Sequence, residues 1–114
     1  MKIVVVGTGG REHALAWALR RSRHRPEVTL VPVAEAREVR ADLVVVGPEV
    51  ALADGLVDHL VSLGVRTFGP TRAAAELEWS KSYARAFCDR HDIPGARSLT
   101  VTDLEAGQIG RAHV

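Results

Sequence analysis

The residues best suited to chemistry stand near the start of the chain, in the run Gly7-Thr8-Gly9-Gly10-Arg11-Glu12-His13. Glycine admits backbone conformations closed to other residues and lets a ligand approach the main chain. A helix beginning just after such a run points unpaired N–H groups and the positive end of its dipole at any anion placed there. A phosphate or a polar substrate group is therefore a reasonable guest. The spacing is not that of a dinucleotide loop, because the third glycine would fall at position 12, which is Glu12, and no Walker lysine pattern is present. On spacing alone a turn that needs its glycines reads equally well, with Arg11, Glu12 and His13 on a helix surface. His13 has neither a cysteine nor a second histidine at metal-ligand spacing. Ser80 and Ser82 have no evident triad partners, and no pair of carboxylates is spaced for acid–base work. The sequence thus offers no catalytic residue and no metal site of its own.

The elements around the glycine run must hold it at the end of a sheet. Lys2 to Val6 is an unbroken β-branched run, expected of a parallel strand buried on both faces. A helix is expected from about Arg11 to Arg21, with Ala14, Leu15, Ala18 and Leu19 on its apolar stripe. Val28 to Val33 reads as a second strand, weakened by Pro32, and Asp42 to Val46 as a third, ended by Gly47-Pro48. Leu52, Leu56 and Leu60 predict one helix over 52–63, which a left-handed cap at Gly64 would stop. A short strand over 65–68, helices over 72–78 and 80–91, and a final strand over 97–101 complete the series. Strands alternating with helices make this an α/β chain with an open parallel sheet flanked by helices.

Composition narrows the class. The 114 residues suffice for one domain with a modest core. Fifteen basic and fourteen acidic residues give a net charge of +1, too little field to steer the chain toward nucleic acid or an anionic membrane. The run Arg20-Arg21-Ser22-Arg23-His24-Arg25 reads as a solvated helix end whose cations oppose the helix dipole. Cys88, the single cysteine, rules out an internal disulfide and reads as a small core residue. No segment approaches the roughly 18 apolar residues of a membrane span, and the chain reads as cytoplasmic.

The residues from Gly7 through Trp17 resemble the opening signature of the phosphoribosylamine–glycine ligases, also called glycinamide ribonucleotide synthetases. Three further blocks follow in that family's order: Asp42 to Glu49, Phe68 to Thr71, and Leu77 to Lys81 with Ile93-Pro94 beyond. The resemblance covers about residues 1–102. It implies a Rossmann-like N-terminal substrate-side domain that precedes an ATP-grasp region in de novo purine biosynthesis. The family joins glycine to 5-phosphoribosylamine with ATP and Mg²⁺ (or Mn²⁺): ATP activates the glycine carboxylate as an acyl phosphate, which the phosphoribosylamine nitrogen attacks. By resemblance Gly9, Gly10, Arg11 and Glu12 line the phosphoribosylamine side of the cleft, and Glu49 accepts a hydrogen bond from a ribose hydroxyl. Without the resemblance, Glu49 is an acid favoured at a helix start. Lys81, after the helix-capping Ser80, implies a cation on the nucleotide phosphates; by itself it reads as an exposed helix lysine.

The chain departs from the family in three places. The stretch 31–41 is much shorter than usual and omits a proline-glycine-asparagine-alanine-glycine loop, which puts substrate affinity in question. Trp79 stands where a small residue is usual, and Arg85 where lysine is usual. The chain also stops where the ATP-grasp part, with its metal-binding carboxylates, is expected. Residues 109–114 match one reading frame of a common sequencing-adapter oligonucleotide, so 103–114 is expected to be a non-native or disordered tail. An inactive enzyme fragment is the leading expectation. The alternatives are a stand-alone phosphate- or nucleotide-binding module without catalysis, and a structural domain that docks on a partner.

Overall fold

A computed structural model describes residues 1–96 as two compact units, Met1–Trp79 and the stretch from Ser80 onward. The first contains a four-stranded parallel sheet of β1 (Lys2–Val6), β2 (Glu27–Val31), β3 (Leu43–Val46) and β4 (Thr67–Phe68). The strands run in the order β2-β1-β3-β4. β1 is central, paired Ile3 to Val28 on one side and Ile3 to Leu43 on the other. That position explains its unbroken apolar run: alternate residues of a central strand face opposite layers, and both layers are dry.

Ile3, Val5, Val28 and Val45 pack with Ala16, Leu15 and Leu19 beneath helix α1 (Gly10–Arg20). Val6, Val44 and Val46 face the other way. There they pack against a 3-10 segment (Val33–Glu38) and helices α2 (Glu49–Ala53), α3 (Leu56–Ser62) and α4 (Arg72–Trp79), through Ala36, Ala51, Leu52, Leu56, Leu60 and Ala75. The result is a three-layer, Rossmann-like α/β unit. α5 (Lys81–Arg90) belongs to the second unit and opens with the expected cap, the Ser80 hydroxyl accepting the Tyr83 amide at 3.3 Å.

Several boundaries differ from the sequence reading, each for a local reason. The second strand ends at Val31, because Pro32 has no N–H for the ladder. The helix expected over 52–63 is two helices, because Gly55 takes a left-handed conformation, φ 84°, and ends the first of them. The last strand of the sheet is only Thr67–Phe68; Val65 is instead tied to the end of α3 by a bond from its amide to the Leu60 carbonyl. Cys88 is only partly buried, since α5 buries no residue completely. The strand expected over 97–101 and the tail over 103–114 lie outside the described residues.

Candidate functional site

In a sheet of order 2-1-3-4 the chain leaves β1 toward β2 on one face and leaves β3 toward β4 on the other. The loops after β1 and β3 therefore diverge, and a crevice opens between them at the carboxyl edge. The glycine run follows β1, and Gly47-Pro48-Glu49 follows β3. The two blocks are 36 residues apart in sequence and neighbours in space because their strands are paired, Val6 beside Val46.

Glu12 lies at the base of this crevice and is only 5% exposed. As the third residue of α1 it reaches back, and its Oε2 accepts the Gly9 amide at 3.0 Å, satisfying one of the donors that a helix start leaves unpaired. Its side chain fits only because glycines surround it. A Cβ on Gly47 would stand 2.5 Å from Glu12 Oε1, and one on Gly7 would stand 2.7 Å from Glu12 Cγ and 2.8 Å from Pro48 Cγ. Gly7 also takes φ 110°, a region nearly reserved for glycine. Gly7 and Gly47 are thus required by the packing of Glu12, a role that sequence spacing gave no sign of.

Gly10 is different. A Cβ there would meet nothing within 4 Å, so the protein interior does not demand glycine at this first position of α1. The amides of Gly10 and Arg11 fall in the first turn of α1, where the helix itself offers them no acceptor.

Arg11 ties the two loops together. Its Nη1 donates to the Gly47 carbonyl at 2.6 Å and its Nη2 to Glu49 Oε1 at 3.1 Å. Both side chains stay about half exposed, at 54% and 45%, so the pair lies at the crevice mouth. Glu49 is the first residue of α2. The hydrogen bond from its own backbone amide, and then the adjoining Arg11 guanidinium, hold its carboxyl below the usual range. Of the residues that the sequence singled out, Gly9, Gly10, Arg11, Glu12 and Glu49 are brought together here. His13 is exposed on α1, and Lys81 begins α5 in the second unit. Among the described residues no three His, Cys, Asp or Glu side chains gather as metal ligands.

Comparison with known proteins gives this arrangement a lineage. The family model for the N domain of phosphoribosylglycinamide synthetase matches residues 1–36 and 32–78. The chain belongs to this family. The phosphoribosylamine–glycine ligase of Xylella fastidiosa is 42% identical over 130 residues, which take in 93% of this chain and 30% of that protein. That of Ralstonia nicotianae is 46% identical, over 99% of this chain and 31% of the ligase. A chicken trifunctional purine biosynthetic protein is 44% identical over 92% of this chain and 13% of its own length. The chain therefore spans under a third of each of these relatives.

The family match breaks within 32–36, where the sequence is shortened. The alignments extend over 129 to 138 positions although the chain has 114 residues, so the relatives carry about two dozen residues that this chain lacks. In their place the 3-10 segment crosses from β2 to β3, setting Ala36 fully into the core.

Proposed function

We propose that this chain forms the 5-phosphoribosylamine side of a phosphoribosylamine–glycine ligase. The observation that carries the reading is the pair of hydrogen bonds that Arg11 donates to the Gly47 carbonyl and to Glu49 Oε1, which join the two loops at the switch point of the sheet. In this reading the first-turn amides of Gly10 and Arg11 receive the phosphate, with the α1 dipole behind them. Gly10 lets the phosphate approach because no side chain intervenes. Glu49 keeps Oε1 on Arg11 and offers Oε2 to a ribose hydroxyl. Glu12 shapes the loop from beneath, holding Gly9 while the ligand lies above.

Bound ATP and Mg²⁺ would supply the activation of the glycine carboxylate. The described residues lack a donor set that fits Mg²⁺, so the metal and most of the nucleotide fall to the part of the ligase beyond this chain's span. Lys81 is the residue here assigned to the nucleotide phosphates.

Calorimetry with glycinamide ribonucleotide tests the site. Glu49→Ala and Gly10→Asp are each expected to weaken binding about tenfold or more, equivalent to about 1.4 kcal/mol. Gly10→Asp is informative because an acid at the start of a helix favours folding while repelling a phosphate. Affinity unchanged in both variants would refute the assignment. The shortened crossover favours a second reading, a phosphate-binding module without catalysis; release of ADP in the presence of all three substrates would exclude it.

A further inference from the structure

We propose that the opposite end of α1 carries a second anion site, for a compact polyphosphate. A concavity of about 340 Å³ there is lined by Arg20, Arg21, Ser22, Arg25 and Pro26. It lies at the amino edge of the sheet, where the turn of residues 22–25 enters β2, away from the crevice after β1 and β3. Cations at a helix C-terminus are ordinarily explained by the dipole, which amounts to roughly −0.5 elementary charge at that end. One arginine offsets that charge. Four arginines within six residues exceed it several-fold, and His24 lies among them.

Their charge is not spent on the protein. None of the three ion pairs among the described residues involves an arginine from this run. Two of the guanidinium groups are nevertheless held in place. Arg20 Nη2 donates to the Val28 carbonyl at 2.9 Å, which leaves its other N–H groups free to donate. Arg21 is stacked 4.6 Å above the exposed ring of Trp17. The third wall is set by the backbone: Arg25 takes φ 43°, a region that non-glycine residues seldom enter, with its amide bonded to the Ser22 carbonyl at 3.0 Å. Pro26 is buried behind it. The cluster is therefore a concave, partly preorganised set of donors, and the fork geometry of arginine suits phosphate oxygens.

The shape also selects the ligand. A nucleic acid duplex is held by phosphate contacts spread along a surface, whereas Arg20, Arg21 and Arg25 line one concavity in a chain of net charge only +1. A single small anion carrying several charges, a di- or triphosphate group, matches both the volume and the charge density.

The test is calorimetric titration of the full chain with inorganic triphosphate, in a Gly10→Asp background that closes the crevice after β1 to phosphate. One-to-one binding is expected, weakened at least tenfold by Arg21→Gln combined with Arg25→Asn. Asparagine tolerates the left-handed backbone, so the turn is retained, and circular dichroism confirms the fold. Trp17 fluorescence should change on titration and lose that change in the double variant. Absence of binding, or affinity indifferent to the two substitutions, overturns the proposal. Tighter, substitution-sensitive binding of a 20-base-pair duplex than of triphosphate also overturns it, in favour of a nucleic-acid surface.

Discussion

At the scale of single residues, two glycines of the crevice follow different rules. Gly47 faces the buried Glu12 carboxylate, so Gly47→Ala forces a Cβ within 2.5 Å of Oε1 and 3.0 Å of Cγ. Overpacking of this kind costs about 1–3 kcal/mol, and urea unfolding should register it. Gly10→Ala meets open space and should change stability by less than about 1 kcal/mol, yet a methyl group there obstructs the proposed phosphate. The pair separates folding from binding: one variant should lose stability, the other affinity. Glu49 gives a third readout. Its folded carboxyl is held low, first by its own backbone amide and then by Arg11. Its contribution to stability is therefore present above the unfolded carboxylate's titration and fades as pH falls through the lower folded value. An NMR titration should place the Glu49 midpoint below an ordinary glutamate. Arg11→Ala should raise that midpoint without restoring it fully, because the backbone bond remains. A midpoint in the ordinary range would contradict the Arg11–Glu49 geometry.

At the scale of elements, what the sequence revealed and what it hid have physical causes. β1 and β3 were legible because central parallel strands impose strong patterns on their residues. The helix after the glycine run was placed but its stripe was not, since Ala14 and Ala18 are exposed while Ala16 is buried beside Leu15 and Leu19. Gly64 was legible as a helix stop, and it takes the expected φ of 78°. Gly55 was not, although its φ of 84° is equivalent. Leu52, Leu56 and Leu60 keep a four-residue repeat through the break and all reach the same core, so the apolar period runs on where the backbone does not. Gly55→Ala should consequently be destabilising by about 1–2 kcal/mol, the usual cost of a side chain in the left-handed region. A loss of under a few tenths would mean that the 49–62 segment can straighten into one helix. The site was legible only in part. The glycine run read equally well as an anion loop or a plain turn, and family resemblance supplied Glu49. Nothing in the spacing showed Arg11 bridging 36 residues to Gly47, since that contact depends on β1 and β3 being paired. The burial of Glu12 was hidden for the same reason: its pocket is made by glycines from two separate loops.

At the scale of the whole molecule, the core and the chemistry are distributed differently. Every fully buried apolar side chain among the described residues belongs to Met1–Trp79, and α5 adds none. No described helix is long and apolar enough to span a membrane. Among the described residues the sheet, its two covering layers and the crevice loops all lie within one unit, so binding at the proposed site is expected not to need the second unit. Ligation is another matter. The proposed ligation needs a glycine carboxylate activated by nucleotide and metal, and among the described residues no three His, Cys, Asp or Glu side chains gather as metal ligands. The relatives named as ligases are more than three times as long as the span matched here. This chain, mixed with ATP, Mg²⁺, glycine and 5-phosphoribosylamine, should therefore bind glycinamide ribonucleotide but release ADP no faster than a protein-free control. Product detected by mass spectrometry in step with ADP release would show that the acyl-activating groups lie within these 114 residues, and would move the catalytic centre into this chain.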